Sequence, residues 1–160
     1  MTQAGQVTLR EVIDDDIVVF FEQQRDPSVH DMVPFLDRDP DDEAGFRARW
    51  QRMRLDPKVR PATVLFEGRV AGYLMSFERD GAREVGYWYG RAYWGRGIAT
   101  HALAAFLRAE SARPLQARAV ADNLASRRVL EKCGFTQRAI EHNYAPRRGA
   151  AVDEALLELR

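Results

Sequence analysis

The stretch Tyr87-Trp88-Tyr89-Gly90-Arg91-Ala92-Tyr93-Trp94-Gly95-Arg96-Gly97-Ile98-Ala99-Thr100 decides how this chain is read. An aromatic, strand-forming run enters a glycine-bearing turn. Beyond Gly97 the apolar residues Ile98, Ala102, Leu103, Phe106 and Leu107 recur at helical spacing. Glycine lets a backbone come close to a ligand because no Cβ stands between them. The first turn of a helix carries N–H groups without intrahelical partners and the positive end of the helix dipole. Strand, bare turn and helix start together make an anion site suited to phosphate or pyrophosphate, to which Arg96 can add charge. Two other phosphate motifs are absent: there is no G-x-x-x-x-G-K-[ST], and Thr100 stands where G-x-G-x-x-G needs its third glycine. A lone Gly-x-Gly reads equally well as a simple turn.

Working outward, the periodicity predicts a helix ending near Ser111, an alternating strand over 114–121, and a helix opening at Asn123. Ala125, Val129, Leu130 and Cys133 form that helix's stripe, and Gly134 is its left-handed stop. Two last strands, over 135–142 and 152–159, flank a polar loop at 146–149. On the other side, strands over 63–66, 69–77 and 83–89 are joined by Glu67-Gly68 and Asp80-Gly81, both tight-hairpin signals. A first strand spans 7–10. Asp14, Asp15 and Asp16 then supply an N-cap and first-turn charge for a helix running through Ile17, Phe20 and Phe21 to Gln24, stopped by Asp26-Pro27. After a loop over 28–40, Asp41 or Asp42 caps a helix with Phe46, Trp50 and Met53 on one face. The order β-α-α-β-β-β-α-β-α-β-β predicts an α+β fold: a mixed, mostly antiparallel sheet of about seven strands with four helices on its faces. The strand-helix-strand unit around Gly97 predicts one parallel pair. A length of 160 residues suits a single domain over 1–160.

Lysine plus arginine and aspartate plus glutamate both number 24, which argues against a nucleic-acid footprint. With one cysteine, Cys133, no intramolecular disulfide or Cys-rich metal site is expected. No apolar run is long enough for a bilayer and no leader is visible at the start, so the expectation is a cytoplasmic protein without membrane partners.

A second motif lies downstream: Asn123-Leu124-Ala125-Ser126-Arg127-Arg128-Val129-Leu130-Glu131-Lys132-Cys133-Gly134-Phe135. Alone, Asn123 and Ser126 read as capping residues. Together with the glycine turn, in this order and spacing, the motif resembles the GNAT superfamily of acyl-CoA-dependent N-acyltransferases. It is most similar to the branch holding the bacterial ribosomal-protein N-terminal acetyltransferases. The superfamily signature is Arg/Gln-x-x-Gly-x-Gly/Ala; here Trp94 takes the first place, followed by Gly97 and Ala99. The resemblance covers the whole chain in element order and is most specific over 84–135.

The resemblance implies acetyl-CoA as co-substrate, and three scattered histidines give no expectation of a metal site. Backbone amides of Gly95, Arg96, Gly97, Ile98, Ala99 and Thr100 would hold the pyrophosphate. The pantetheine arm would lie against Tyr87, Trp88 and Tyr89, where the fourth and fifth strands splay. Asn123 would bond the arm and Ser126 would lie near the thioester sulfur. A homodimer also accords with the resemblance. Acetyl transfer to a small-molecule or peptide amine, directly within a ternary complex, needs a neutral amine, an oriented thioester, a stabilised oxyanion and a stabilised thiolate. Orientation alone can supply roughly 7–11 kcal/mol. A backbone N–H near Tyr89 would meet the oxyanion.

The chain departs from common superfamily patterns in two places. Leu130 stands where many members have a Tyr acid, and Arg118 where many have a Glu on the fifth strand. Ser126 is then the candidate donor, and Glu84, Tyr87, His101 and His142 are replacement bases. Tyr144 and His30 would lie near the acceptor mouth. Each of these also reads as an ordinary surface or strand residue, and Cys133 as buried core. Arg127 and Arg128 read as CoA-phosphate contacts or a solvated helix face. The acidic run Asp37, Asp39, Asp41, Asp42 and Glu43 reads as an attractor of cationic acceptors or a solvated cap. The missing Tyr and Glu leave a second function open, a CoA-binding sensor without turnover.

Overall fold

Glu67 and Gly68 sit at φ 51° and 79°, and Asp80 and Gly81 at 50° and 80°. Positive φ at both central residues is the two-residue hairpin pattern whose twist matches the strands it joins. These turns link β2 (Arg60–Phe66), β3 (Arg69–Arg79) and β4 (Ala82–Tyr89). The computed structural model describes residues 5–29, 39–146 and 149–160. Within them lie also β1 (Val7–Arg10), α1 (Asp14–Gln24), α2 (Glu43–Leu55), α3 (Ile98–Leu107), β5 (Leu115–Val120), α4 (Leu124–Lys132), β6 (Thr136–Ala145) and β7 (Ala150–Leu159). His30 and Asp37 lie outside the described residues.

The seven strands form one sheet in the order β1-β2-β3-β4-β5-β7-β6. Every neighbouring pair is antiparallel except β4 and β5, which are parallel across α3. The expected α+β class and element order hold. Side chains alternate between the faces of a strand, and the sheet buries both. One face packs Val85, Tyr89, Leu115 and Ala117 against Ile98, Ala102, Leu103 and Phe106 of α3 and Leu130 of α4. The other packs Met75 against Ile17, Phe20 and Phe21 of α1 and Phe46 and Trp50 of α2. Phe20, Trp50 and Tyr73 meet with ring centroids about 5 Å apart, a cluster that adds edge and tilted aromatic contacts to the burial.

Two helix ends differ from the sequence reading. The N-cap of α1 is Ile13 rather than an aspartate, and Asp16 reaches back to accept from the Ile13 N–H at 2.9 Å. Asp16 is buried because it also accepts from Thr63 Oγ1 at 2.7 Å and from Arg10 at 2.6 and 2.9 Å. α3 stops at Leu107 instead of near Ser111. Glu110 turns inward there, bonding the Ser76 hydroxyl and Arg83, with Arg60 at 3.6 Å. A buried carboxylate with these partners outweighs one further helical turn. Among the described residues no helix is long and apolar enough to cross a membrane.

Candidate active site

β4 and β5 pair at only two positions, Arg83 with Leu115 and Glu84 with Gln116. Beyond them β4 stays paired to β3 as far as Tyr89, and β5 to β7 as far as Val120. The two strands therefore diverge, and a cleft opens between Val85–Tyr89 and Ala117–Val120, with its vertex at Glu84. The Gly90 N–H donates to the Ala71 carbonyl at 3.0 Å. Antiparallel alternation then points the main-chain groups of Trp88 at β3 and those of Val85, Tyr87 and Tyr89 into the cleft. Of the three residues expected to line a pantetheine arm, Trp88 thus has its backbone already occupied. Strands β3 and β4 approach closely here because residue 72 is glycine: a Cβ on Gly72 would lie 2.0 Å from the Trp88 carbonyl oxygen.

The open end of the cleft meets the start of α3. Gly95 and Gly97 have φ of 71° and 77°, and Gly97 is the left-handed N-cap, with no side-chain cap bond. A Cβ at Gly95 would meet nothing within 4 Å, and at Gly97 only the His101 ring at 3.7 Å. The first helical bond runs from the His101 N–H to the Gly97 carbonyl at 3.1 Å. The amides of Ile98, Ala99 and Thr100 consequently have no helical acceptor. Arg96 lies over the Phe66 ring at 4.8 Å, a cation–π contact, and has no ion-pair partner among the described residues. The Trp94 indole donates to the Tyr89 carbonyl at 2.9 Å, tying the end of β4 to the turn.

On the α3/α4 side, Asn123 caps α4: its Oδ1 accepts from the Ser126 N–H at 3.2 Å. Its amide nitrogen has no partner among the described residues. The Ser126 and Tyr87 hydroxyls lie 2.8 Å apart, and either oxygen can be the donor; the one hydrogen of the Tyr87 hydroxyl also has the Ser126 carbonyl within reach at 3.3 Å. Burial pushes the Tyr87 phenol up to about 12 and the Tyr89 phenol higher still. The Tyr89 hydroxyl is buried and has no hydrogen-bond partner among the described residues. Cys133 donates to the Thr100 carbonyl at 3.6 Å and its thiol is pushed up by burial, opposite to what a nucleophile needs.

Glu84 and Trp88 project from the opposite face of β4. Glu84 is 5% exposed and sits between Arg79 at 3.7 Å and Arg118 at 3.4 Å. Burial raises its pKa above the ordinary carboxylate value although both guanidiniums pull it down. Arg118 also bonds Glu141 and lies 3.5 Å from Glu154, whose pKa burial likewise raises. The guanidinium at position 118 is thus the hub of three carboxylates. From sequence alone, position 118 reads only as a missing base. Alternation in Leu115-Gln116-Ala117-Arg118-Ala119 is the signal that could have placed Arg118 on the face of Glu84.

The other titratable candidates stand apart. His101 Nδ1 is engaged with the Gly97 carbonyl at 2.9 Å, and His142 pairs with Asp153 at 2.6 Å on the exposed hairpin. Tyr144 is exposed. Arg127 bonds the Ala121 carbonyl and Gln137. Among the described residues no group of three metal-ligating side chains occurs.

A family model described as "Acetyltransferase (GNAT) domain" matches residues 6–136. No curated protein matches the chain. Among solved structures, the chain is similar to Mycobacterium smegmatis RimJ in complex with CoA-disulfide, at 23% identity and a TM-score of 0.80, covering 98% of this chain and 82% of that one. It is similar to spermidine N-acetyltransferase from Vibrio cholerae in complex with CoA and spermine, at 14% identity and 0.83, covering 96% and 95%. It is also similar to RimL, a ribosomal L7/L12 alpha-N-protein acetyltransferase in complex with coenzyme A, at 18% identity and 0.77, covering 96% and 94%. At these identities the likeness is one of fold.

Proposed function

The chain belongs to the acetyltransferase (GNAT) family, and on that premise we propose that it moves an acetyl group from acetyl-CoA directly to a primary amine, with both substrates held in the β4–β5 cleft. One observation carries this reading: strand pairing ends at Glu84 and Gln116, and the gap that follows runs to an uncapped helix start. The amides from Gly95 to Thr100 receive the pyrophosphate, aided by the Arg96 charge. The arm then runs along the gap-facing backbone of Tyr87 and the N–H of Tyr89, whose carbonyl the Trp94 indole already holds, with the Asn123 amide bonding it from the other wall. The thioester oxygen meets a gap-facing N–H, that of Tyr89 or, one pleat deeper, that of Tyr87.

Glu84, at the vertex, is the base. A carboxyl held above its usual range takes a proton more readily than an ordinary one. It removes the amine proton, directly or through one water, as nitrogen attacks the carbonyl carbon. The C–S bond breaks with its electron pair on sulfur, where Ser126 offers a hydrogen bond. The proton lost by nitrogen balances the one that sulfur finally gains, leaving amide and free CoA.

The acceptor is a protein N-terminus or a small-molecule amine. RimL is an alpha-N-protein acetyltransferase and the Vibrio cholerae enzyme a spermidine N-acetyltransferase, and with TM-scores of 0.77 and 0.83 the fold does not choose between the two kinds of acceptor. A homodimer belongs to the same reading and is tested by sedimentation.

A second reading, a CoA-binding sensor without turnover, is favoured by Leu130 and Arg118 in place of the usual acid and base and by the two arginines on Glu84. Thiol release from acetyl-CoA with a panel of amines separates the two. Amine-dependent release supports the transferase; saturable binding with no release from any amine supports the sensor; no binding of CoA overturns both.

A further inference from the structure

The α4 wall of the cleft holds one interaction that the reaction as described does not use. Tyr87 projects from β4 toward α4, and its hydroxyl meets both polar atoms that Ser126 offers: Oγ at 2.8 Å and the carbonyl oxygen at 3.3 Å. The surroundings are otherwise apolar or weakly polar. Leu130 lies one helical turn beyond Ser126 and is buried. The Tyr89 ring stands 5.9 Å from that of Tyr87, its own hydroxyl without a partner among the described residues. The titratable groups that face Tyr87 are Tyr89 and Cys133, and both are neutral near pH 7 because burial raises them. A hydrogen bond in such a place is strong, and the two acceptors in reach of the Tyr87 hydrogen are the Ser126 Oγ and, 0.5 Å farther, the Ser126 carbonyl.

We infer that Tyr87 is a positioning residue for the leaving-group side of the transfer: of the two directions open to the 2.8 Å contact, its hydroxyl donates to Ser126 Oγ, the nearer acceptor, rather than to the carbonyl at 3.3 Å, and so turns the Ser126 hydrogen toward the thioester sulfur. A serine hydroxyl carries one hydrogen and rotates freely. Left alone, Ser126 can turn that hydrogen back along α4 instead of outward. Tyr87, donating to the same oxygen, occupies one lone pair and leaves the hydrogen to point away. Tyr87 is not itself the acid. A phenol held up to about 12 is far weaker than a thiol of ordinary value about 8.5, so its proton stays in place while the thiolate leaves with its electron pair, bonded by Ser126. The backbone of Tyr87 still serves the arm, so side chain and main chain of one residue have separate duties. With Leu130 in the position of the usual tyrosine, the donor side of this site is assembled from β4 and the first turn of α4.

This inference rests on the functional reading above, and the test is chosen to keep the two apart. Tyr87→Phe, Ser126→Ala and the double variant are each checked for folding by circular dichroism. Phe keeps the ring, its packing and the backbone N–H. With an amine that supports wild-type turnover, Tyr87→Phe is expected to lower kcat about tenfold, the size of one charge-assisted hydrogen bond, with KM for acetyl-CoA within about twofold. The double variant is expected to be no slower than Ser126→Ala alone, because the two act as one unit. A readout free of turnover is the thiol of bound CoA, followed by thiolate absorbance against pH: it should titrate lower in the wild type than in either single variant. Losses that multiply in the double variant, an unchanged kcat in Tyr87→Phe, or equal thiol titration in all proteins overturns the role of Tyr87 while leaving the functional reading intact. Failure of the wild type to bind CoA overturns both.

Discussion

The two ends of the β4–β5 cleft are built from different materials. At the open end the polar groups left free are main-chain amides, presented by Gly95 and Gly97 in left-handed conformation and by a helix start without a side-chain cap. At the vertex they are charged side chains: buried Glu84 and half-buried Glu154 around Arg118, with Glu141 and Arg79 at the edge. A main-chain site is fixed by local backbone geometry and keeps its polarity at any pH. A side-chain site depends on strands brought together from across the sheet, and its charge state follows burial and neighbours. Substitutions should therefore act differently at the two ends.

The largest effect is expected at the open end. Gly97→Glu puts a carboxylate and a Cβ where φ is +77° and the pyrophosphate is proposed to sit. CoA affinity by calorimetry should fall more than about a hundredfold, combining steric block, like charge and backbone strain. Retained affinity would break the contrast outright. At the vertex, Glu84→Gln should cut kcat by about 10²–10⁴, the usual range for a lost general base, while binding of CoA stays near wild type. Equal losses of binding and turnover would show that the two ends are not separable.

Arg118→Met comes next. It strands one buried carboxylate, Glu84, and leaves half-buried Glu154 without its cation, and a cost of about 3 kcal/mol in urea unfolding is expected. It also sharpens the pH prediction. The base must be ionised, so kcat/KM rises with pH through the raised Glu84 pKa. Removing Arg118, which pulls that pKa down, should move the rising limb further toward alkaline pH. Asp16 gives a smaller effect, away from the cleft. Burial raises its pKa, but its bonds from Arg10, the Ile13 N–H and Thr63 prevail and hold the carboxyl below the usual range. Its contribution is present above the unfolded carboxylate value and is lost as pH falls through the folded one. Asp16→Asn should cost about 1–3 kcal/mol at neutral pH and flatten the acid limb of stability, read from urea midpoints across pH. His142→Ala, on an exposed pair, should change stability by less than about 0.5 kcal/mol.

The same contrast explains what could be read from the chain before folding. The glycine turn, both hairpins and the Asn123 cap are written in neighbouring residues, and each appears where its local chemistry demands. Glu84 was legible as a strand carboxylate, though it looked like a flank of the Asp80-Gly81 turn. Its place at the vertex depends on Gln116, thirty-two residues later, as its parallel partner. The Arg118 hub joins residues of four strands, and no local window contains it. The ends of α1 and α3 were misplaced for a related reason: Asp16 and Glu110 look like ordinary helix-terminus charges, but each is drawn inside by partners from distant strands.

The peptide plane between Tyr89 and Gly90 is gripped at both of its poles. Its oxygen accepts from the Trp94 indole, and its N–H reaches the Ala71 carbonyl, which Gln23 also bonds at 3.2 Å. A plate bolted at two opposite corners does not swivel. An incoming cofactor would find this rung already oriented, its freedom surrendered when the chain folded rather than when the visitor arrives.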